Sequence, residues 1–168
     1  MMRLLPVVIA VMLAACATTP PPQTKFVTTQ APEALVATIR AAAGNDEDEL
    51  AVQPLRDPHV EDLRQQAVQL ERNHLYRAAA TVLDQALVIN PDDPAVLQER
   101  AEVAILLRDF EQAETLARHA YDAGAKVGPL CRRHWATIEQ VRIANDDAVN
   151  AAAAKAQLAT CKAAQNPY

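Results

Sequence analysis

The chain of 168 residues contains no serine, only three glycines and 4% aromatic residues. The missing serine excludes a serine hydrolase, because that chemistry begins with a serine hydroxyl. Gly44, Gly124 and Gly128 are too scattered to build a phosphate-cradling loop, so nucleotide binding is not expected. There are 16 Lys+Arg against 21 Asp+Glu, a formal charge of -5, with no basic stripe. Nucleic acid is therefore not an expected partner. His59, His74, His119 and His134 fall in no His-Glu-x-x-His or comparable arrangement, and no metal or cofactor is expected. The three cysteines all have other duties, described below, so the chain is not expected to be an enzyme.

Alanine, by contrast, is abundant, which favours helices packed through small contacts. The length allows one domain plus accessory segments. At the start, Arg3 precedes an apolar run from Leu4 to Leu13, too short to span a bilayer, and small residues follow it. That pattern describes an export signal over residues 1–15. Leu13-Ala14-Ala15-Cys16 resembles the lipobox of bacterial lipoproteins. The resemblance implies cleavage before Cys16, diacylglycerol on its sulfur and attachment to a membrane. Ala17 stands where lipoproteins retained at the inner membrane carry aspartate, so the resemblance favours the periplasmic face of the outer membrane. One acyl chain anchors only marginally, whereas two or more anchor stably.

Residues 16–31 are rich in proline and threonine and have no apolar period, as expected of an extended tether. From Ala17 to Gln30 it could reach roughly 40 Å from the lipid surface. Residues 32–57 read as a short helix followed by an acidic loop. Pro32 and Glu33 suit its first turn, Leu35, Val36, Ile39 and Ala43 share a face, and Gly44 stops it. A helix this short needs something to dock on.

From residue 58 to 164 the expectation is an all-α domain. Asp57-Pro58 and Asp93-Pro94 each pair an N-cap with proline at the first helical position. Between and beyond them, Leu63, Ala67, Tyr76, Ala79 and Ala86 recur thirty-four residues later as Leu97, Ala101, Phe110, Ala113 and Ala120. These positions, with Pro91, resemble the tetratricopeptide repeat, although Ala125 stands where the second unit would have proline. The resemblance implies a short solenoid of helical hairpins. About three hairpins are needed for a stable stack. A divergent third opens at Gly128-Pro129, turns at Asn145-Asp146 and places Ala151, Ala154, Leu158 and Cys161 inward. At the same thirty-four-residue spacing Trp135 stands where Ala67 and Ala101 stood, so this hairpin is expected to open differently and cap the stack.

Cys131 and Cys161 lie symmetrically about the turn at residue 146, which puts them at one height in an antiparallel hairpin. In an oxidising compartment a disulfide between them is expected. The alternative is a metal site with His134, but a single Cys-x-x-His spacing is a weak zinc signal.

What remains for function is a surface. In the repeat family the first helix of each hairpin lines a concave groove. Carried over by position, the groove is expected to use Arg64, Val68, Gln98, Glu102, Ile105 and Arg132, with Val68 and Ile105 as apolar anchors and the two arginines orienting a peptide or helix. Val68 and Glu99 occupy the positions of the asparagines of carboxylate-clamp repeats, so that variant is disfavoured. Lipoproteins of similar layout scaffold peptidoglycan hydrolases or serve as pilotins. The reading is thus a non-catalytic adaptor for an envelope protein, and the alternative is a lipoprotein that self-associates.

Overall fold

The computed structural model describes residues 28–44 and 57–162. The expected signal, Cys16, the tether up to residue 27 and the acidic run Asn45 to Glu49 lie outside the described residues. Among the described residues the protein is all-α, with seven helices: α1 (Pro32–Ala41), α2 (Pro58–Arg72), α3 (Tyr76–Ile89), α4 (Pro94–Leu106), α5 (Phe110–Ala123), α6 (Gly128–Ala144) and α7 (Ala148–Thr160). No described helix is long and apolar enough to cross a membrane.

Aspartates start four of these helices, because a carboxylate can satisfy amides that have no partner within the helix. Asp57 accepts from the His59 amide at 2.8 Å and Asp93 from the Ala95 amide at 2.9 Å. Asp109 and Asp147 do the same for Gln112 and Asn150. Gly124 ends α5 for a packing reason: its φ of -96° suits any residue, but an added Cβ would lie 3.0 Å from the Pro94 Cβ and 2.9 Å from the Ala120 carbonyl oxygen.

Three hairpins, α2–α3, α4–α5 and α6–α7, stack in order, and one turn geometry is used three times. His74, Arg108 and Asp146 each adopt positive φ, near 60°. The amide of the following residue reaches back five positions, Leu75 to Leu70, Asp109 to Ala104 and Asp147 to Arg142, at 2.8 to 2.9 Å. Glycine is the usual residue at such a site, and the chain uses it at none of the three.

The turns also correct the register expected for the third hairpin. His74 and Arg108 are thirty-four residues apart, whereas Arg108 and Asp146 are thirty-eight apart. Four extra residues make about one helical turn. Counted from its own turn, Trp135 therefore corresponds to Leu63 and Leu97, not to Ala67 and Ala101. It packs edge-on against Tyr121 of α5, ring centroids 5.0 Å apart, and against the buried cluster in which Ile138 of α6 and Ala154 of α7 meet at the α6–α7 crossing. That crossing is closed by Ala151 and Ala154, both buried, and it remains closed at its far end, where the Cα atoms of Cys131 and Cys161 are 5.6 Å apart. The expected opening of this hairpin does not occur.

Small residues set the packing elsewhere. Ala67, Ala79 and Ala86 join Leu63, Leu83 and Val96 in the core of the first hairpin. Phe110, fully buried, anchors a second cluster with Ile105, Leu106 and Ala113. α1 completes that cluster: Leu35, Val36 and Ile39 are buried against Ile105, Leu106, Ala136 and Val141. α1 thus docks on α4 and α6. The Thr28 amide donates to the Ala144 carbonyl at the end of α6, and Arg132 near its start donates to the Ala43 carbonyl, so α1 runs antiparallel to α6.

Candidate partner-binding groove

The first helices of the three hairpins carry the six residues assigned by sequence: Arg64 and Val68 on α2, Gln98, Glu102 and Ile105 on α4, and Arg132 on α6. Four of them are closed off. Gln98, Glu102 and Ile105 are fully buried and Arg132 is 5% exposed, because α1 lies in that half of the groove. Ile105 therefore packs in the core and cannot be a surface anchor, and Arg132 holds the end of α1. Only Arg64 and Val68, both on α2, face the part left open; Val68 is 39% exposed.

Beneath α1, a chain of polar groups is sealed between α4 and α6. His134 Nδ1 lies 2.8 Å from Gln98 Oε1, and Gln98 Nε2 donates to Glu102 Oε1 at 2.9 Å and to Thr137 Oγ1 at 2.8 Å. Since the Gln98 oxygen can only accept, His134 carries its proton on Nδ1. Its Nε2 is buried without a hydrogen-bond partner. Burial, with Arg133 and Lys126 nearby, pushes the His134 pKa down to about 3, so the ring is neutral. Glu102 accepts from Arg133 Nε at 2.9 Å on one oxygen and from Arg40 Nε at 2.7 Å on the other. A buried carboxylate is tolerated only with such partners.

Arg40 of α1 also donates to Glu71 of α2 at 2.7 Å. Burial opposes the charge on Arg40, but Glu102 and Glu71 outweigh it and hold its pKa above the usual range. For Glu71 the balance falls the other way: burial, with Glu102 and Glu99 as like charges, raises its pKa despite Arg40. At the other end of α1, Tyr76 donates to Glu33 at 2.9 Å, tying the helix to the α2–α3 turn.

Between α1 and α2 a trough of about 660 Å³ remains open. Val36 and Ala37 form one wall, Ala67 and Val68 the other, with Leu106 among the lining residues. Charges of both signs flank this apolar strip. Arg64 donates to Glu99 at 2.9 Å and to Glu61 at 2.7 Å, whereas Arg72 has no ion-pair partner among the described residues. The sequence reading missed Arg72, Glu99 and Val36 as lining residues, because they form a trough only once α1 supplies its second wall. The apolar face of α1 was the available signal.

The structure places the Cys131 and Cys161 sulfurs at disulfide distance, 2.02 Å, and turns His134 toward Gln98. Among the described residues no group of three His, Cys, Asp or Glu side chains could hold a metal ion.

No protein-family model matches the chain, and a search of curated proteins finds no match. Among solved structures, it is similar to the globular C-terminal domain of P. aeruginosa LpoP, with 28% identity and a TM-score of 0.59, over 62% of this chain and 99% of that one.

Proposed function

We propose that the protein is a lipid-anchored adaptor of the outer membrane, a non-catalytic tetratricopeptide-like stack that holds a segment of an envelope protein on its concave face. The observation that carries this reading is the trough between α1 and α2. An apolar strip flanked by charges of both signs suits a short segment that buries one or two aliphatic side chains and pairs its own charges with Arg72 and Glu71. Cys16 is the lipidation site, and a Cys131–Cys161 disulfide staples the third hairpin. The likeness to the LpoP domain supports an interaction module of this shape. A tether of roughly 40 Å on a lipidated Cys16 would hold the stack within reach of enzymes that build or cut peptidoglycan, and these are the first clients to test.

Affinity capture from solubilised envelopes, comparing the unaltered chain with Val68→Glu and Arg72→Glu, tests the reading. Loss of the same captured proteins from both variants is the expected result. Undiminished capture of every protein by both variants removes the trough as the binding site.

A further inference from the structure

The half of the groove that lies over α4 and α6 is filled by a piece of the chain itself. From this occupancy we infer that α1 is an internal stand-in for a client helix, and that a partner helix of the same pattern binds by taking its place. The inference rests on the adaptor reading above and names its partner.

Three observations carry it. First, α1 lies along the concave side as a bound segment would, antiparallel to α6, with Leu35, Val36 and Ile39 turned into the groove and Arg40 set on acidic groups of α2 and α4. Its chemistry therefore describes what the berth accepts: an acid in the first turn, branched apolar residues at i, i+1 and i+4, and a guanidinium or ammonium directly after. Second, the berth tolerates a change of occupant. When Arg40 leaves, Glu102 keeps Arg133 and Gln98, so no buried carboxylate is stranded. Third, the open trough gives an incoming segment a foothold beside α1. Val36, Ala37 and Arg40 are one wall of it, so a client cation entering along α2 meets Glu71 while Arg40 still holds it. Displacement can then proceed stepwise.

α1 is ten residues long and too short to persist as a helix undocked, so its release is a local unfolding. Because it stands between Cys16 and the stack, release also lengthens the leash: residues 28–44, fully extended, span up to roughly 60 Å. An adaptor holding its client would thereby reach farther from the membrane than an idle one.

A labelled peptide of residues 28–44 tests the exchange when titrated onto the full chain and onto its Ile39→Asp variant. The variant, with α1 weakened in its berth, should bind the peptide at least tenfold more tightly than the unaltered chain. A peptide carrying Arg40→Glu should bind the variant at least tenfold more weakly. If Ile39→Asp lacks the helical circular dichroism of the parent, the full-chain Arg40→Gln variant takes its place, since it removes the ion pairs to Glu71 and Glu102 without adding a like charge. Absence of peptide binding to a folded variant overturns the exchange. A second readout separates this inference from the adaptor reading: proteins captured by the unaltered chain should be released by saturating peptide. Capture that persists undiminished sinks the exchange and leaves the adaptor standing. If nothing is captured at all, the adaptor reading is the one that fails, and the titration still decides whether the berth exchanges.

Discussion

The two ends of the stack solve the same packing problem differently. At the first hairpin, alanines packed with Leu63 and Leu83 bring α2 and α3 together without a disulfide, and the concave side stays open, with Val68 and Arg64 facing the trough. At the third, Cys131 and Cys161 meet across the hairpin, α1 covers the concave side, and the polar chain from His134 to Glu102 is sealed beneath it. An uncovered surface can accept a partner, whereas a covered one contributes to stability. Substitutions at the two ends should therefore separate these roles.

The largest contrast should come from the cysteines. Replacing both Cys131 and Cys161 by serine should lower stability by about 3 to 4 kcal/mol, read by urea unfolding of the oxidised protein, since the link closes a loop thirty residues long. Adding reductant to the unaltered chain should reproduce the loss, and no effect from either treatment would remove the staple from the comparison.

On the concave face, Ile105→Ala should cost about 3 kcal/mol because it empties a site with no exposure. Val68→Ala, at the open end, should stay within about 0.5 kcal/mol. Equal losses at the two positions would mean that the groove is uniformly core and has no open end.

His134 gives the covered end a pH dependence. Its folded pKa is depressed below the unfolded value near 6.5, so the unfolded chain binds the extra proton first. The contribution is complete above pH 6.5 and is lost as pH falls toward 3. Between pH 6.5 and 5 the loss should be about 2 kcal/mol, and His134→Gln should remove that part of the slope in unfolding curves taken across the range. An unchanged slope would show that the ring protonates in place.

The smallest effects should be equal at the two ends. Asp57→Ala and Asp147→Ala each remove a cap, the second together with a partly exposed ion pair to Arg142 that is worth little, and each should cost about 1 kcal/mol by thermal unfolding. A marked difference between them would show that the ends differ in helix initiation as well as in what covers them.

Much of this architecture was legible along the chain. Asp57-Pro58 and Asp93-Pro94 start helices because caps act on the next three residues, and no distant contact is needed to recognise them. The apolar stripe Leu35, Val36 and Ile39 announced a docked helix, but not its berth. The groove was only partly legible: Arg64 and Val68 line the trough that stays open, whereas Gln98, Glu102, Ile105 and Arg132 share the pattern and are covered. Trp135 was misaligned because a fixed period was carried past a point where the chain inserts about one helical turn, and only the backbone at Asp146 marks that insertion.

Sequence by itself determined the helices, their order and the all-α class, because caps, turn residues and periodicity act within a few positions. The tertiary structure alone decided which side of the stack is free. That depended on where one short helix settled among surfaces far from it in the chain, and such a choice is made by complementary shape and charge between distant residues, which no local pattern records.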